Sequence, residues 1–248
     1  MKKYVSVFTM IARSTLYKNL TVMLLMAVSQ IGLFLLGLQK YANLGKWTLT
    51  GTVKDSFMMV PFVIGLVVIS VFLGETGCRR GSNQRYLFGR LQISERGIVS
   101  LQAIYNFITL IMLWAVEILV LIGVSFIYLQ RTAEATGHTL VLAFYTNKWM
   151  HSVLPMKDAV GWALLCTLFV GLSLFLAVVS HTQRFGYSKA LIGPAISLGL
   201  FAASFPRGMG SKRDAVTVCA AVVLYGFLVK AYVTIREKEG EEHEKAEN

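Results

Sequence analysis

Phe107–Leu129 reads FITLIMLWAVEILVLIGVSFIYL, with one charge, Glu117, in its whole length. At 1.5 Å per residue, a helix of about 20 such residues crosses the ~30 Å hydrocarbon core of a bilayer. In lipid every backbone N–H and C=O must be satisfied within the spanning structure, so a lone apolar run of this length reads as an α-helix. Five more runs share the pattern: Leu20–Leu38, Phe57–Gly74, Val160–Ser180, Tyr187–Phe205 and Ala215–Ile235. Tyr187–Phe205 holds Lys189, Gly193, Pro194 and Gly199, and a kinked or broken helix is expected there. The fold expected is all-α, a polytopic membrane protein with six transmembrane helices.

Composition agrees. Of 248 residues, 55% are hydrophobic and 15% charged, where a soluble domain carries about a quarter charged. One membrane domain over residues 1–235, followed by a charged tail at 236–248, uses the whole chain. No GxxxxGK[ST] motif is present, so ATP binding is not expected on this chain. The net charge of +11 does not point to nucleic acid. The basic residues lie between apolar runs, where they set topology and touch anionic headgroups. Cys78, Cys166 and Cys219 are unclustered, the last two inside apolar runs, and read as small core residues. His138, His151 and His181 lack ligand spacing, so no metal or cofactor is expected.

Orientation follows from lysine and arginine. Fifteen of them fall on the side holding both termini and the second and fourth loops, nine on the other. The richer side is cytoplasmic, which predicts a multi-pass protein of the cell membrane with both ends inside. Arg13 and Lys18 interrupt the first apolar stretch and no small-residue cleavage site follows, so a cleaved signal is not expected. Instead Tyr4, Val5, Phe8, Ile11, Ala12 and Leu16 recur at helical spacing among polar residues. That pattern predicts an amphipathic interfacial helix over residues 1–18, the other reading being an extension of the first span. The external loop 130–159 is too apolar for a solvated loop. A short interfacial helix, with Tyr145 and Trp149 at headgroup depth, is expected in it.

The segment joining the second and third runs carries the functional signal. Glu75–Asn106 reads ETGCRRGSNQRYLFGRLQISERGIVSLQAIYN. Its centre sets Tyr86, Leu87 and Phe88 between Arg85 and Arg90. Such an amphipathic element suits docking into a groove of a cytoplasmic partner. A solvated basic loop with its aromatics among headgroups fits the same residues. Ser94, before Glu95 and an apolar run, reads as a helix N-cap, with Glu95 favourable to the helix dipole.

The run from Glu75 through basic residues to Leu91-Gln92-Ile93-Ser94-Glu95-Arg96 resembles the second cytoplasmic segment of ABC-2-type transporter permeases, lantibiotic-immunity permeases among them. In that family the loop carries the coupling helix, and a Leu-Pro-(Val/Ile)-Ser-Arg phrase follows it. Here Gln92 replaces the proline and Glu95 precedes the arginine. The resemblance implies a non-catalytic permease subunit of an ABC exporter, with residues 75–98 as the coupling loop. Arg85, Tyr86, Leu87, Phe88 and Arg90 would contact ABC ATPase subunits on separate chains. A second permease copy or a homologous permease would complete the dimer, within the lipid bilayer, and the cargo would be amphipathic or hydrophobic. The family's external hairpin between the last two spans is reduced here to Pro206–Asp214. The alternative is a membrane-embedded interaction or sensor protein without transport.

Glu117 is the one acid within an apolar run. A carboxylate at mid-span costs roughly 2.5–3.5 kcal/mol on insertion scales. It could line a substrate path or a subunit interface, or hydrogen-bond to a serine or backbone group of a neighbouring helix. No HExxH, GxSxG, CxxC or paired intramembrane acids suggest catalysis. The charge bias predicts that a membrane-impermeant thiol reagent on intact cells labels a cysteine placed at Thr136 and not one at Ser82. The reverse pattern inverts the orientation.

Overall fold

The computed structural model describes residues 2–42, 48–74, 95–132, 137–156 and 158–184, with positions 218, 219, 222, 223, 225 and 226. Every regular element among them is helical: α1 Lys2–Ala42, α2 Leu49–Asp55, α3 Met59–Gly74, α4 Glu95–Arg131, α5 Gly137–Thr146, α6 Lys148–Val153 and α7 Ala159–Arg184. Within α1, α4 and α7 the stretches Thr15–Lys40, Arg96–Arg131 and Gly161–His181 are long and apolar enough to cross a membrane. α2 and α3 meet at a 51° bend and make a fourth such span if taken together. The described residues thus hold three such helices, or four with the bent pair, as a membrane protein requires, and four of the six apolar runs fall in them. Tyr187–Phe205, the segment Glu75–Ser94 with Arg85, Tyr86, Leu87, Phe88 and Arg90, and the tail 236–248 lie outside the described residues, as does most of Ala215–Ile235.

α1 packs on α3 and α4, and α7 on α3 and α4, which closes a four-helix bundle. Side-chain contacts Thr15–Tyr105 and Gln30–Glu117 join α1 to α4 at nearly constant sequence offset, 90 and 87 residues, so the two helices run parallel. The buried face of α1 is a single stripe at spacings of three and four: Val7, Ile11, Thr15, Asn19, Met23, Met26, Gln30, Phe34 and Leu38. Its other face exposes Tyr17, Leu24, Leu25, Val28 and Leu36. Large apolar residues on both faces, with polar ones inside, are the mark of a helix solvated by lipid. There, packing and interhelical hydrogen bonds hold helices together rather than the hydrophobic effect.

α1 has 41 residues, about 60 Å of helix, roughly twice the hydrocarbon thickness. Residues 2–42 form one helix, so the amphipathic N-terminal stretch runs on into the first span. Val7 and Ile11 of that stretch are buried, and the Phe8 ring meets Tyr105 edge-on at 6.0 Å. At the inner flank of the stretch Lys18 Nζ sits 5.5 Å from the Phe72 ring centre, a cation–π contact. α4 begins at Glu95, one residue after the serine expected to cap it.

The α2–α3 bend has a local cause. Phe57 adopts φ 52°, a left-handed conformation costly for a residue with a Cβ. Pro61 then falls in the first turn of α3, where its missing N–H costs nothing. α2, α5 and α6 gather at one end of the bundle, called here the cap end. Asn147 organises them. Its Oδ1 accepts from the Trp149 and Met150 backbone N–H groups at 3.0 and 3.3 Å, and its Nδ2 donates to the Thr50 carbonyl at 3.3 Å. Trp114 Nε1 donates to the Val153 carbonyl at 2.8 Å and ties the cap to α4.

Two expectations change. Segment 130–159 makes two short helices rather than one, and Trp149 is buried edge-on against Phe62 at 4.9 Å instead of resting among headgroups. Cys166 of α7 and Cys219 are both exposed rather than buried. A thiol is apolar enough for either place, and helical phase decides.

Gly65 of α3 lets α1 approach. A Cβ there would lie 3.1 Å from Met26 Sδ. Gly65→Val is therefore expected to destabilise the protein by about 1–3 kcal/mol, read as a lower unfolding midpoint in detergent. Adding Met26→Ala should restore part of the loss, because the thioether is the obstacle.

Candidate functional site

The bundle encloses polar groups at two levels. Near the cap end, Glu117 of α4 is fully buried. Gln30 Nε2 of α1 donates to Glu117 Oε1 at 3.0 Å and to the Met58 carbonyl, at the α2–α3 bend, also at 3.0 Å. Both neighbours are acceptors, so the Gln30 amide must point its two N–H groups at them. The second carboxyl oxygen, Oε2, makes no full hydrogen bond among the described residues, and the Trp149 indole borders the group. Of the roles left open for Glu117, a buried hydrogen-bond partner is thus present. It is a glutamine, not the serine or backbone group expected.

Toward the other end a second polar layer is built from neutral groups. Gln102 Nε2 donates to Asn106 Oδ1 at 3.1 Å, and Asn106 Nδ2 donates to the Ser173 carbonyl of α7 at 3.2 Å. The hydroxyls of Thr15 and Tyr105 share a hydrogen bond of 2.9 Å. Asn19, one turn beyond Thr15 on the same face, is 2% exposed with neither polar atom of its side chain bonded among the described residues. Between the levels the α1 stripe carries Met23 and Met26, and α4 carries Leu110 and Leu113. Along the α1–α4 seam itself, the Thr15–Tyr105 and Gln30–Glu117 contacts thus form two polar levels of a column, with Met23 and Met26 of α1 between them.

Above Glu117, at the cap end, a cavity of about 430 Å³ opens between the α2–α3 bend and the α5–α6 junction. Val53, Phe57, Met59, Val60 and Trp149 give it apolar walls, and Lys54 and Lys148 its charge. Trp149 belongs to both features: it lines the cavity and borders the Glu117 carboxyl. One indole therefore stands between an open pocket and the buried acid.

Of the residues singled out in the sequence, Glu117 lies in this site, and the five coupling residues lie outside the described residues. Gln30, Asn19, Asn106, Lys54 and Lys148 were not singled out, and Trp149 was expected only among headgroups. For Asn19 and Gln30 the signal was available, as polar residues in phase with Thr15 on an otherwise apolar stripe. Lysines at the ends of short segments carry no such signal. Comparison with protein families, with curated proteins and with solved structures finds no match to this chain.

The Gln30–Glu117 contact makes a quantitative claim. In a double-mutant cycle with Gln30→Leu and Glu117→Leu, unfolding in detergent should give a coupling energy of about 0.5–2 kcal/mol, the range of interhelical hydrogen bonds. Glu117→Gln should be milder than Glu117→Leu, since an amide oxygen still accepts from Gln30. A coupling of zero separates the two residues.

Proposed function

We propose that this chain is the membrane-spanning permease subunit of an ATP-driven ABC transporter, exporting an amphipathic or hydrophobic compound or peptide, with ATP hydrolysis on partner subunits. The observation that carries the reading is the sequence of Glu75–Arg96, with its basic and aromatic centre and its ABC-2-like phrase Leu91–Arg96. Its position in the chain adds support. The segment follows the end of α3 at Gly74 and precedes the start of α4 at Glu95. Those two helices, with the bend above α3, carry Met58 and Glu117, the groups that Gln30 holds together. A load applied to the segment by a partner reaches both sides of this junction through covalent structure.

On this reading six spans cross the cell membrane and both termini lie in the cytoplasm. The first turns of α1 project beyond the hydrocarbon into the cytoplasmic interface, which the length of that helix accommodates. Two permeases, identical or homologous, stand on two ATPase subunits. The polar column and its soft methionine layer form the part of the bundle that rearranges as a substrate passes.

The test is the double variant Leu87→Ala with Phe88→Ala. Interface anchors of this kind contribute about 2 kcal/mol each, roughly thirtyfold in affinity. The variant should insert normally, lose co-purification of a tagged ATPase encoded beside it, and lose transport. Normal co-purification with normal transport removes the coupling role. Absence of any ATPase partner for the unaltered protein favours a membrane-embedded interaction protein instead.

A further inference from the structure

The cap-end cavity has a composition of its own. Among the described residues lining it are two lysines and no acid. Asp55, next to Lys54 in the chain, is not among them. Its volume lies within the range of small-ligand sites, about 300–1,000 Å³, and its walls are mostly apolar. Lys54 and Lys148 come from different elements, the end of α2 and the start of α6, and both are exposed at the mouth. The Thr50 and Thr146 hydroxyls, 3.3 Å apart, lie on the same lining. Phe57, with its left-handed backbone, is held 69% exposed at the rim. Strained backbone persists where surrounding structure enforces it, often at binding sites.

The apolar wall does not end at the pocket. Phe57, Val60 and Ile64 follow one another at spacings of three and four, and are 69%, 42% and 57% exposed. They form an exposed apolar track from the α2–α3 bend along α3, from the pocket toward the middle of the bundle. A soluble anion would leave that track unused, and a zwitterion would gain little from two lysines with no acid among the described lining residues.

We propose that this pocket binds the headgroup of an anionic phospholipid from the leaflet facing the cap. The phosphate sits between Lys54 and Lys148, and an acyl chain follows Phe57, Val60 and Ile64 down α3. The occupant is chosen by charge complementarity at the mouth together with the continuous apolar track below it. The proposal rests on the membrane-spanning bundle and on no part of the transport reading, so loss of ATPase co-purification would leave it untouched.

Full-length protein, delipidated in neutral detergent, is mixed with equal amounts of phosphatidylglycerol and phosphatidylcholine of the same chain length. Retained lipid is then counted by native mass spectrometry. A lysine at an anionic headgroup contributes about fivefold in affinity. The unaltered protein should therefore favour phosphatidylglycerol by about tenfold or more. Lys54→Gln with Lys148→Gln should bring the two lipids within about twofold, while Lys54→Arg with Lys148→Arg keeps the preference. Both lysines are exposed, and the arginine pair controls for folding. Val60→Asn with Ile64→Asn should weaken retention of phosphatidylglycerol. Equal retention of the two lipids by the unaltered protein overturns the proposal, as does a preference that survives in the glutamine pair. Displacement of the lipid by equimolar water-soluble glycerophosphoglycerol also overturns it, because the site would then be one for soluble anions.

Discussion

The Gln30 amide is the point on which the described bundle turns. Its two N–H groups are both committed, one to the Glu117 carboxyl of α4 and one to the Met58 carbonyl where the chain bends between α2 and α3. In water such an amide could exchange partners freely. In an apolar interior an abandoned donor or acceptor costs about 1–3 kcal/mol, so the three groups fix one another. That fixes the register of α1 against α4. It also fixes where the α2–α3 bend sits, and hence where Phe57, Lys54 and the cap-end pocket lie. The Thr15–Tyr105 contact repeats the α1–α4 register some four turns away, so the seam is pinned at two levels rather than one.

The parts of this arrangement that were legible in the sequence are those set by local chemistry. Apolar runs had to be helices because lipid offers the backbone no partners. The start of α4 after Ser94 followed from capping. Glu117 stood out because a lone acid in such a run needs an explanation. Its partner did not, because that depends on how α1 sits against α4, residues 87 apart, and no local rule sets that phase. The cap shows the same limit. The apolar content of 130–159 announced that it would pack on something, but that something was Phe62 of α3 and Trp114 of α4 rather than headgroups. Asn147 was the readable clue to two helices, since asparagine before Lys148-Trp149-Met150 is a good N-cap. Cys166 and Cys219 were misplaced because an apolar run gives depth without giving the face.

The two polar levels differ in kind. The one near Asn106 is built from neutral amides and hydroxyls, several turned on backbone carbonyls, and Asn19 remains unbonded within it. The one at Glu117 holds an acid, with cationic residues in the pocket above Trp149. A neutral amide layer tolerates water or polar ligand groups without demanding a charge. An acid beneath a lysine-lined mouth discriminates by charge. Between the two levels the buried stripe of α1 carries Met23 and Met26.

That separating layer decides how the seam responds to load. Methionine is unbranched and repacks among rotamers at little cost, while hydrogen bonds between membrane helices average well under 2 kcal/mol. The contacts that set register are therefore strong enough to select one arrangement at rest and weak enough to be overcome by a partner. On the proposed transport reading, moving a two-state equilibrium from 1:99 to 99:1 takes about 5.5 kcal/mol, a load that docking on the segment joining α3 to α4 would have to supply. A core held by tightly interlocked branched side chains would resist the same load. Methionine at position 26, against the glycine at 65 where α3 approaches α1, therefore places an adaptable side chain at a close contact of the bundle, where a branched residue would hold one fixed packing.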